Sequence, residues 1–201
     1  PTLECVIDAV GQLRIAIEAR LSMDMAASPM QGARLNVFSG NFITAQPIGV
    51  DVGVDFCHTG KVRRVDANSI SRQLDKGGII LLSPLGSSVT GEVFNLPSEE
   101  VATQVAIAIK ADKLITLTED EGLIDKEGSL IRSCSVRTVK TLLDDNDCHV
   151  RQLLLRAIIQ SGENGVERCH CVSYQSDTAL LQELFTRDGA GTLIAKDHKE
   201  L

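Results

Sequence analysis

Short apolar segments that resemble β-strands alternate with amphipathic segments that resemble helices, and this alternation most constrains the fold of the chain. A strand–helix–strand order occurs twice, once from IILLS (79–83) to KLITLT (113–118) and once from RCHCVS (168–173) to GTLIA (191–195). This order is typical of a crossover between neighbouring parallel strands. The sequence therefore predicts one α/β domain with a mainly parallel sheet, in which the continuous apolar run of IILLS is a buried strand.

The other segments have the patterns of helices and turns. Ser98 is a suitable N-cap for a helix that ends near Lys110, and LIDKEGSLIR (123–132) has the turn residues of a hairpin. Further helices are predicted at the start of the chain, where apolar residues recur from Leu3 to Ile17 at helical spacing, and in TVKTLL (138–143), VRQLLLRAIIQ (150–160, closed by GENG) and TALLQELF (178–185).

The composition favours a globular protein with an aliphatic core. Of the 201 residues 43% are hydrophobic and only 3% aromatic, and the net charge is -7. This acidic balance argues against a nucleic-acid or bilayer surface, and no apolar run reaches the roughly 20 residues of a membrane span. We expect a cytoplasmic protein with neither partner. Because Pro1 lies in a helical pattern without a preceding Met, we also expect a piece of a longer protein.

The cysteines indicate a reducing compartment, because none of them forms a CxxC pair. Four of them adjoin a histidine, in Cys57-His58, Cys148-His149 and the Cys169–Cys171 segment, and a zinc site from these groups is one alternative. Adjacent residues of a strand point to opposite faces, so each pair would supply a single ligand. We favour small buried cysteines and predict no metal. The six are Cys5, Cys57, Cys134, Cys148, Cys169 and Cys171.

Two loops follow predicted strands, where α/β sheets bind their ligands. The loop 84–98 offers backbone N–H groups and hydroxyls at Gly86, Ser87, Ser88 and Gly91, which could hold a phosphate or a carboxylate. Such glycine–serine loops also occur without a ligand, so this signal is weak by itself. The second loop, 173–178, follows RCHCVS.

Three longer blocks resemble a known family. The block GEVFNLPSEEVATQVAIAIKADKLITLTEDEGLID (91–125) resembles the nucleotide-side half of the amino-acid kinase fold, as in acetylglutamate kinase. ELFTRDGAGT (183–192) is similar to the segment that marks its arginine-inhibited members. The run ARLSMDMAASPMQGARLNVFSGNFITAQPIGVDVGVDFCHTGKVRRVD (19–66) resembles bacterial N-acetylglutamate synthases.

The resemblance implies a three-layer sandwich that lacks its N-terminal part, with the amino-acid-kinase-like domain over 1–196 and a linker starting at 197–201. In that family such a domain binds L-arginine as a feedback inhibitor. A second domain, outside this sequence, binds acetyl-CoA as co-substrate and L-glutamate and makes N-acetyl-L-glutamate in the first step of arginine biosynthesis. The resemblance also implies a homo-oligomer, a hexamer. No catalytic residue of the acetyl transfer is expected here.

The kinase-like site is expected to be vestigial, with Gly86, Asn95 and Glu99. Asn95 matches the family's asparagine, but Glu99 stands where the kinases have an aspartate. The kinases' lysine has no evident counterpart, since VRQLLLR offers Arg151 and Arg156 instead. Phosphoryl transfer needs cations around the transferred group, so kinase activity is the disfavoured alternative.

ELFTRDGAGT has the residue types that an arginine ligand requires. A guanidinium needs a carboxylate and free carbonyls, which Glu183 and the end of TALLQELF would supply, while glycines allow a close backbone approach. The alternative is a helix end with a solvated Glu183 and a core His170. A third reading is an oligomerisation module without a ligand. With the resemblance, the predicted arginine-binding residues are His170, Ser173, Tyr174, Glu183, Gly189, Gly191 and Thr192.

Overall fold

The computed structural model describes residues 2–23, 32, 35–144, 149–187 and 189–196. The chain divides into two compact units, Pro1–Val101 and Ala102–Leu201. The single domain predicted for 1–196 stays a prediction, and each unit is described by itself. Within the described ranges, no helix has the length and apolar character needed to cross a membrane.

The first unit combines helices with short strands. Its principal sheet has four strands in the order β5-β2-β7-β8, and β1-β6 and β3-β4 form two-stranded sheets. Ile43 and Ala45 of β2 and Phe94 of β8 are buried in its core. The elements are α1 (Thr2–Leu21), β1 (Val37–Phe38), β2 (Ile43–Pro47), β3 (Val50–Asp51), β4 (Val54–Asp55), β5 (Gly60–Val65), α2 (Ala67–Leu74), β6 (Ile79–Ile80), β7 (Leu85–Ser87), β8 (Val93–Asn95) and the start of α3 (Ser98–Ala108).

The second unit is one mixed sheet with helices on both faces. Its strand order is β10-β12-β11-β9, in which β12 runs antiparallel to β11 while the outer pairs are parallel. After the end of α3 the elements are β9 (Lys113–Thr118), β10 (Ser133–Ser135), α4 (Val136–Asp144), α5 (His149–Glu163), β11 (Arg168–Ser173), α6 (Ala179–Phe185) and β12 (Thr192–Ala195).

The core of the second unit lies on the sheet face that carries α4 and α5. Cys134, Cys169 and Ile194 of three adjacent strands pack there with Val139 of α4 and Ile158 of α5. Helix α6 contacts β11 and carries Glu183, which bonds His170 on the opposite face of that strand. These layers make an α/β sandwich. The sheet face opposite α4 and α5 carries α6 and polar side chains such as His170.

Both predicted βαβ units are wrong. Strand β9 pairs with β11, whereas β6 pairs with β1, so the strands on either side of α3 belong to different sheets. Strand β12 follows α6 but runs antiparallel to β11. The α/β class is confirmed, but the described strand pairs divide evenly between parallel and antiparallel, so the sheets are mixed. Strand direction depends on the route of the connection, which local apolar patterns do not record.

Several local predictions are confirmed and a few need correction. The strands 113–118 and 168–173 have the predicted bounds, and the hairpin 123–132 closes through the Asp125 N–H, which donates to the carbonyl of Ser129. IILLS forms a strand only at Ile79–Ile80, and these residues are half-buried. Ser98 is the first residue of α3, so the predicted N-cap is displaced by one position.

The glycines of GENG have different roles. Gly162 lies inside α5, where an added Cβ would come within 2.6 Å of a methyl group of Val136. Gly165 has a φ of 100°, the left-handed conformation that the sequence predicts at a helix C-terminus. Close helix packing therefore explains the first glycine, and only the second glycine has the predicted left-handed conformation.

Candidate functional site

Strand β11 directs its side chains alternately to two different environments. Cys169 and Cys171 point into the core, while Arg168 and His170 face the side where α6 lies. The expectation that adjacent cysteine and histidine side chains diverge on a strand is met here. Strand geometry thus places a histidine and an arginine on one face, two residues apart.

His170 and Glu183 form a buried pair. The distance between His170 Nδ1 and Glu183 Oε1 is 2.6 Å, and the two side chains are only 8% and 4% exposed. Helix α6 brings Glu183 back over β11, although the two residues are 13 positions apart in the sequence. Because Glu183 is buried and bonded, it is not the solvated carboxylate of the alternative helix-end reading.

The other oxygen of Glu183 holds the loop that follows α6. Glu183 Oε2 accepts the N–H groups of Ala190 at 2.8 Å and Gly191 at 2.9 Å. Gly189 has a φ of 62°, and a Cβ on it would come within 2.6 Å of Oε2. A Cβ on Gly191 would collide with the carbonyl oxygen of Cys171. Both glycines are therefore needed for the loop to approach the carboxylate and the strand.

These bonds determine the charge of Glu183. Burial opposes ionisation and acts to raise the pKa of Glu183, but the hydrogen bonds from His170, Gly191 and Ala190 outweigh burial and lower this pKa below its usual value. Because the ionised carboxylate can only accept, His170 Nδ1 carries the hydrogen and donates it to Glu183 Oε1. Among the buried polar side-chain atoms that the structure describes, Nε2 alone has no hydrogen-bond partner.

A cavity of about 630 Å³ lies beside this pair. Four of the seven predicted arginine-binding residues line it, namely His170, Glu183, Gly189 and Gly191. Its wall also contains two strand residues opposite one another, Ser133 and Leu193, and Thr186 of the loop. The remaining lining residues are the cations Lys113, Arg132, Arg168 and Arg187.

Glu183 and the end of α6 leave fewer free hydrogen-bond acceptors for a guanidinium than the sequence predicts. A carboxylate has about four acceptor positions, and three of those on Glu183 are occupied, so a two-pronged pair with a guanidinium is unavailable in this arrangement. The carbonyl of Gln182 at the end of α6 accepts the N–H and the hydroxyl of Thr186. One acceptor position on Glu183 is therefore left for a ligand.

Ser173, Tyr174 and Thr192 do not line the cavity. The Ser173 hydroxyl donates to the carbonyl of Glu119, and Tyr174 is largely exposed. Thr192 is fully buried, and its hydroxyl accepts the N–H of Leu123 at 2.8 Å. The position of Thr192 is explained by this structural bond, and a direct ligand contact of the three residues stays a prediction.

In the described part of the chain, the cavity that Asn95 lines does not include Gly86 or Glu99. Gly86 is buried in β7, where a Cβ would come within 2.9 Å of Cβ of Ala45. Asn95 lines a cavity with residues 56–59 and the start of α1, but Glu99 does not, and its carboxylate accepts the hydroxyl of Ser98. In the loop predicted as a phosphate cradle, the N–H groups of Ser88 and Gly91 donate to the carbonyls of Glu92 and Ser88, and anion binding there stays a prediction.

The described cysteines are free thiols. Cys5 and Cys57 are exposed, whereas Cys134, Cys169 and Cys171 are buried. Burial raises the pKa of Cys134 and Cys169 to about 11, so both are neutral core side chains. Among the residues with described positions, no group of three or more metal-binding side chains occurs. Cys148 and the side chain of His149, part of the zinc alternative, lie outside the described residues.

The comparison with protein families agrees with this sandwich. The sequence profile of the amino acid kinase family matches residues 2–173, most of the chain. The chain belongs to the amino acid kinase family. The predicted family resemblance is thereby confirmed.

The amino acid kinase family relatives that resemble this chain are longer proteins. An amino-acid acetyltransferase of Azotobacter vinelandii (strain DJ / ATCC BAA-1303) is 58% identical over 200 residues, which are 100% of this chain and 46% of the relative. The chain thus spans about half the length of the curated relatives that it matches.

Two solved structures from Neisseria gonorrhoeae are also similar. One is N-acetylglutamate synthase complexed with coenzyme A and N-acetyl-glutamate, with a TM-score of 0.88 and 35% identity over 97% of this chain and 44% of that chain. The other is the same enzyme complexed with coenzyme A and L-arginine, with a TM-score of 0.90 and 34% identity over 97% and 46%.

Proposed function

We propose that this chain is the arginine-binding regulatory part of an N-acetylglutamate synthase. The observation that carries the proposal is the His170–Glu183 pair at the wall of the cavity of about 630 Å³. The pair contains an ionised carboxylate, which is an acceptor for a ligand rich in N–H groups, and a buried ring nitrogen without a hydrogen-bond partner. The similar gonococcal enzyme was solved with L-arginine, which has such groups.

The acetyl transfer belongs to another part of the longer protein in this proposal. That part would use acetyl-CoA as co-substrate and L-glutamate as acceptor, in the cytoplasm and at the start of arginine biosynthesis. The relatives are about twice as long as this chain, and a gonococcal relative was solved with coenzyme A and N-acetyl-glutamate. The proposed assembly is a homo-oligomer, a hexamer by family resemblance.

Arginine would regulate from a distance by binding one arrangement of the longer protein more tightly than another. A coupling of about 1–3 kcal/mol between the two sites is typical of metabolite feedback. The segment 189–191 is suited to transmit binding, because Glu183 accepts hydrogen bonds both from its backbone and from His170. A ligand that contacts this pair would therefore also act on the loop.

The test is a calorimetric titration of the purified 201-residue chain with L-arginine. We expect saturable binding, and we expect Glu183→Gln to weaken it by about 10-fold or more, because the substitution removes the charge and keeps the shape. Glu127→Gln is the control, since Glu127 lies exposed in the hairpin. Unchanged affinity in Glu183→Gln, or no binding by the unsubstituted chain, would contradict the proposal.

A further inference from the structure

An exposed β-hairpin, the valine hairpin (48–56), extends from the principal sheet of the first unit. Its strands β3 and β4 form a separate two-stranded sheet. The Ile48 N–H donates to the carbonyl of Thr59, which joins the base of the hairpin to the end of the β2–β5 ladder. Nine consecutive residues, 50–58, are exposed. An isolated two-stranded hairpin is marginally stable in water, so this one needs a surface that covers it.

The tip of the valine hairpin has an apolar side chain in a conformation that valine rarely adopts. Val52 has a φ of 48° and is 95% exposed, and Gly53 follows with a φ of 78°. A turn with two left-handed residues normally has asparagine, aspartate or glycine at the first of them. Val50 and Val54 are 69% and 58% exposed. Because neither the turn nor the core of the unit requires these valines, they indicate a contact with another surface.

The valine hairpin and the following strand β5 have opposite charges. The hairpin has two carboxylates and no cation, whereas β5 has three exposed cations and no carboxylate. Among the residues that the structure describes, the side chains of Asp51, Lys61 and Arg63 make no hydrogen bond or ion pair. The charged residues are Asp51 and Asp55 in the hairpin and Lys61, Arg63 and Arg64 in β5.

Within one molecule these opposite charges are too far apart to pair. Lys61 is the register partner of Gln46 in the β2–β5 ladder, and Asp51 lies five residues after Gln46. At about 3.3 Å per residue the separation is roughly 16 Å, about twice the Debye length of about 8 Å at physiological ionic strength. The ladder and the hairpin therefore form one ribbon with an acidic end and a basic end. Two such ribbons in opposite directions place each acidic end beside a basic end.

We propose that the valine hairpin binds strand β5 of a second copy of this chain in a two-fold symmetric dimer. Asp51 of each copy pairs with Lys61 and Arg63 of the other, and the exposed valines are covered by the contact. A two-fold axis makes the same contact twice, so both ends of each ribbon are used. This inference specifies an interface for the homo-oligomer of the proposed function, whereas the arginine cavity lies in the other unit.

The experiment measures self-association of the 201-residue chain by analytical ultracentrifugation. We expect the unsubstituted chain to form dimers. Asp51→Lys and Arg63→Glu should each raise the Kd of the dimer by at least about 10-fold, because each substitution brings like charges together. An equimolar mixture of the two variants should associate again as a heterodimer, since each new side chain then meets an opposite charge.

Val52→Asn distinguishes a contact between copies from a role in folding. Asparagine suits the left-handed turn, so the melting temperature of the chain should not fall. The Kd of the dimer should nevertheless rise by about 10-fold, because the apolar contact at the tip is lost. If Val52 served folding alone, its substitution would leave the Kd unchanged, and the inference would be overturned.

The controls are Glu127→Lys and Lys76→Glu, which make the same charge changes at exposed positions outside the ribbon. Both should keep the Kd of the unsubstituted chain, and circular dichroism should show that every variant is folded. A monomeric unsubstituted chain, an unchanged Kd in Asp51→Lys or Arg63→Glu, or a mixture that stays monomeric overturns this inference. The calorimetric titration with L-arginine tests the regulatory function separately, because it measures binding to the other unit.

Discussion

At the scale of single residues, the candidate site depends on a small number of polar groups and on where each of them is buried. His170, Glu183, Gly189 and Gly191 were predicted from a family resemblance, and the structure brings them together at one cavity. The basic residues were missed because they are far apart in the sequence. Arg168 could have been found, since it lies two positions before His170 on a predicted strand and so shares its face.

The buried hydrogen bond between the Leu123 N–H and the Thr192 hydroxyl can be tested by substitution of Thr192. Thr192→Val keeps the shape but leaves the Leu123 N–H without its acceptor, so we expect the free energy of unfolding to fall by about 1–3 kcal/mol. Urea denaturation measures this loss. In Thr141→Val, on the exposed side of α4, the change should stay within about 0.5 kcal/mol, and equal losses in both variants would contradict the assignment.

The Glu183 carboxylate should make stability depend on pH. Its pKa is lower in the folded chain than its ordinary value of 4.5, so the ionised form stabilises the fold above that pH, and the contribution is lost as the pH falls through the folded-state pKa. Urea denaturation of the chain and of Glu183→Gln should therefore differ most above about pH 4.5 and converge in more acidic solution. A difference that grows on acidification would contradict this.

At the scale of elements, sequence patterns located most helices and strands but not their directions. The apolar run of RCHCVS and the amphipathic TALLQELF have the predicted types, yet β11 and β12 are antiparallel where a crossover predicts parallel strands. Glu183 accepts the N–H of Ala190 just before β12, and a hydrogen bond between residues seven positions apart leaves no periodic signal in the sequence. The sequence shows the glycines Gly189 and Gly191, but it does not show that they approach the Glu183 carboxylate and the Cys171 carbonyl.

Glycine substitutions test how tightly this loop is fitted. Gly191→Ala would drive a methyl group into the backbone at Cys171, so we expect a loss of at least about 2 kcal/mol of unfolding free energy. Gly11→Ala is the control, because Gly11 lies within α1 with no atom near an added Cβ and should gain about 0.5–1 kcal/mol. Thermal and urea denaturation would contradict the loop geometry if Gly191→Ala were as stable as the parent.

At the scale of the whole molecule, the family and the α/β class were predictable, whereas the division into two units was not. The blocks 91–125 and 183–192 carry the family signal across the chain, and the boundary at Val101 falls inside α3, where no change of composition marks it. Function at this scale depends on the longer protein in which we propose that the chain lies. In that proposal the cavity senses L-arginine, and its effect is measured as a change in the acetyl transfer by another part of the longer protein.

The most direct measurement is the rate of glutamate acetylation by that longer protein as a function of L-arginine concentration. The account predicts that the rate falls as arginine saturates the cavity, and that Glu183→Gln shifts the inhibition to about 10-fold higher concentrations or more. A rate that stays undiminished in saturating L-arginine would contradict the account.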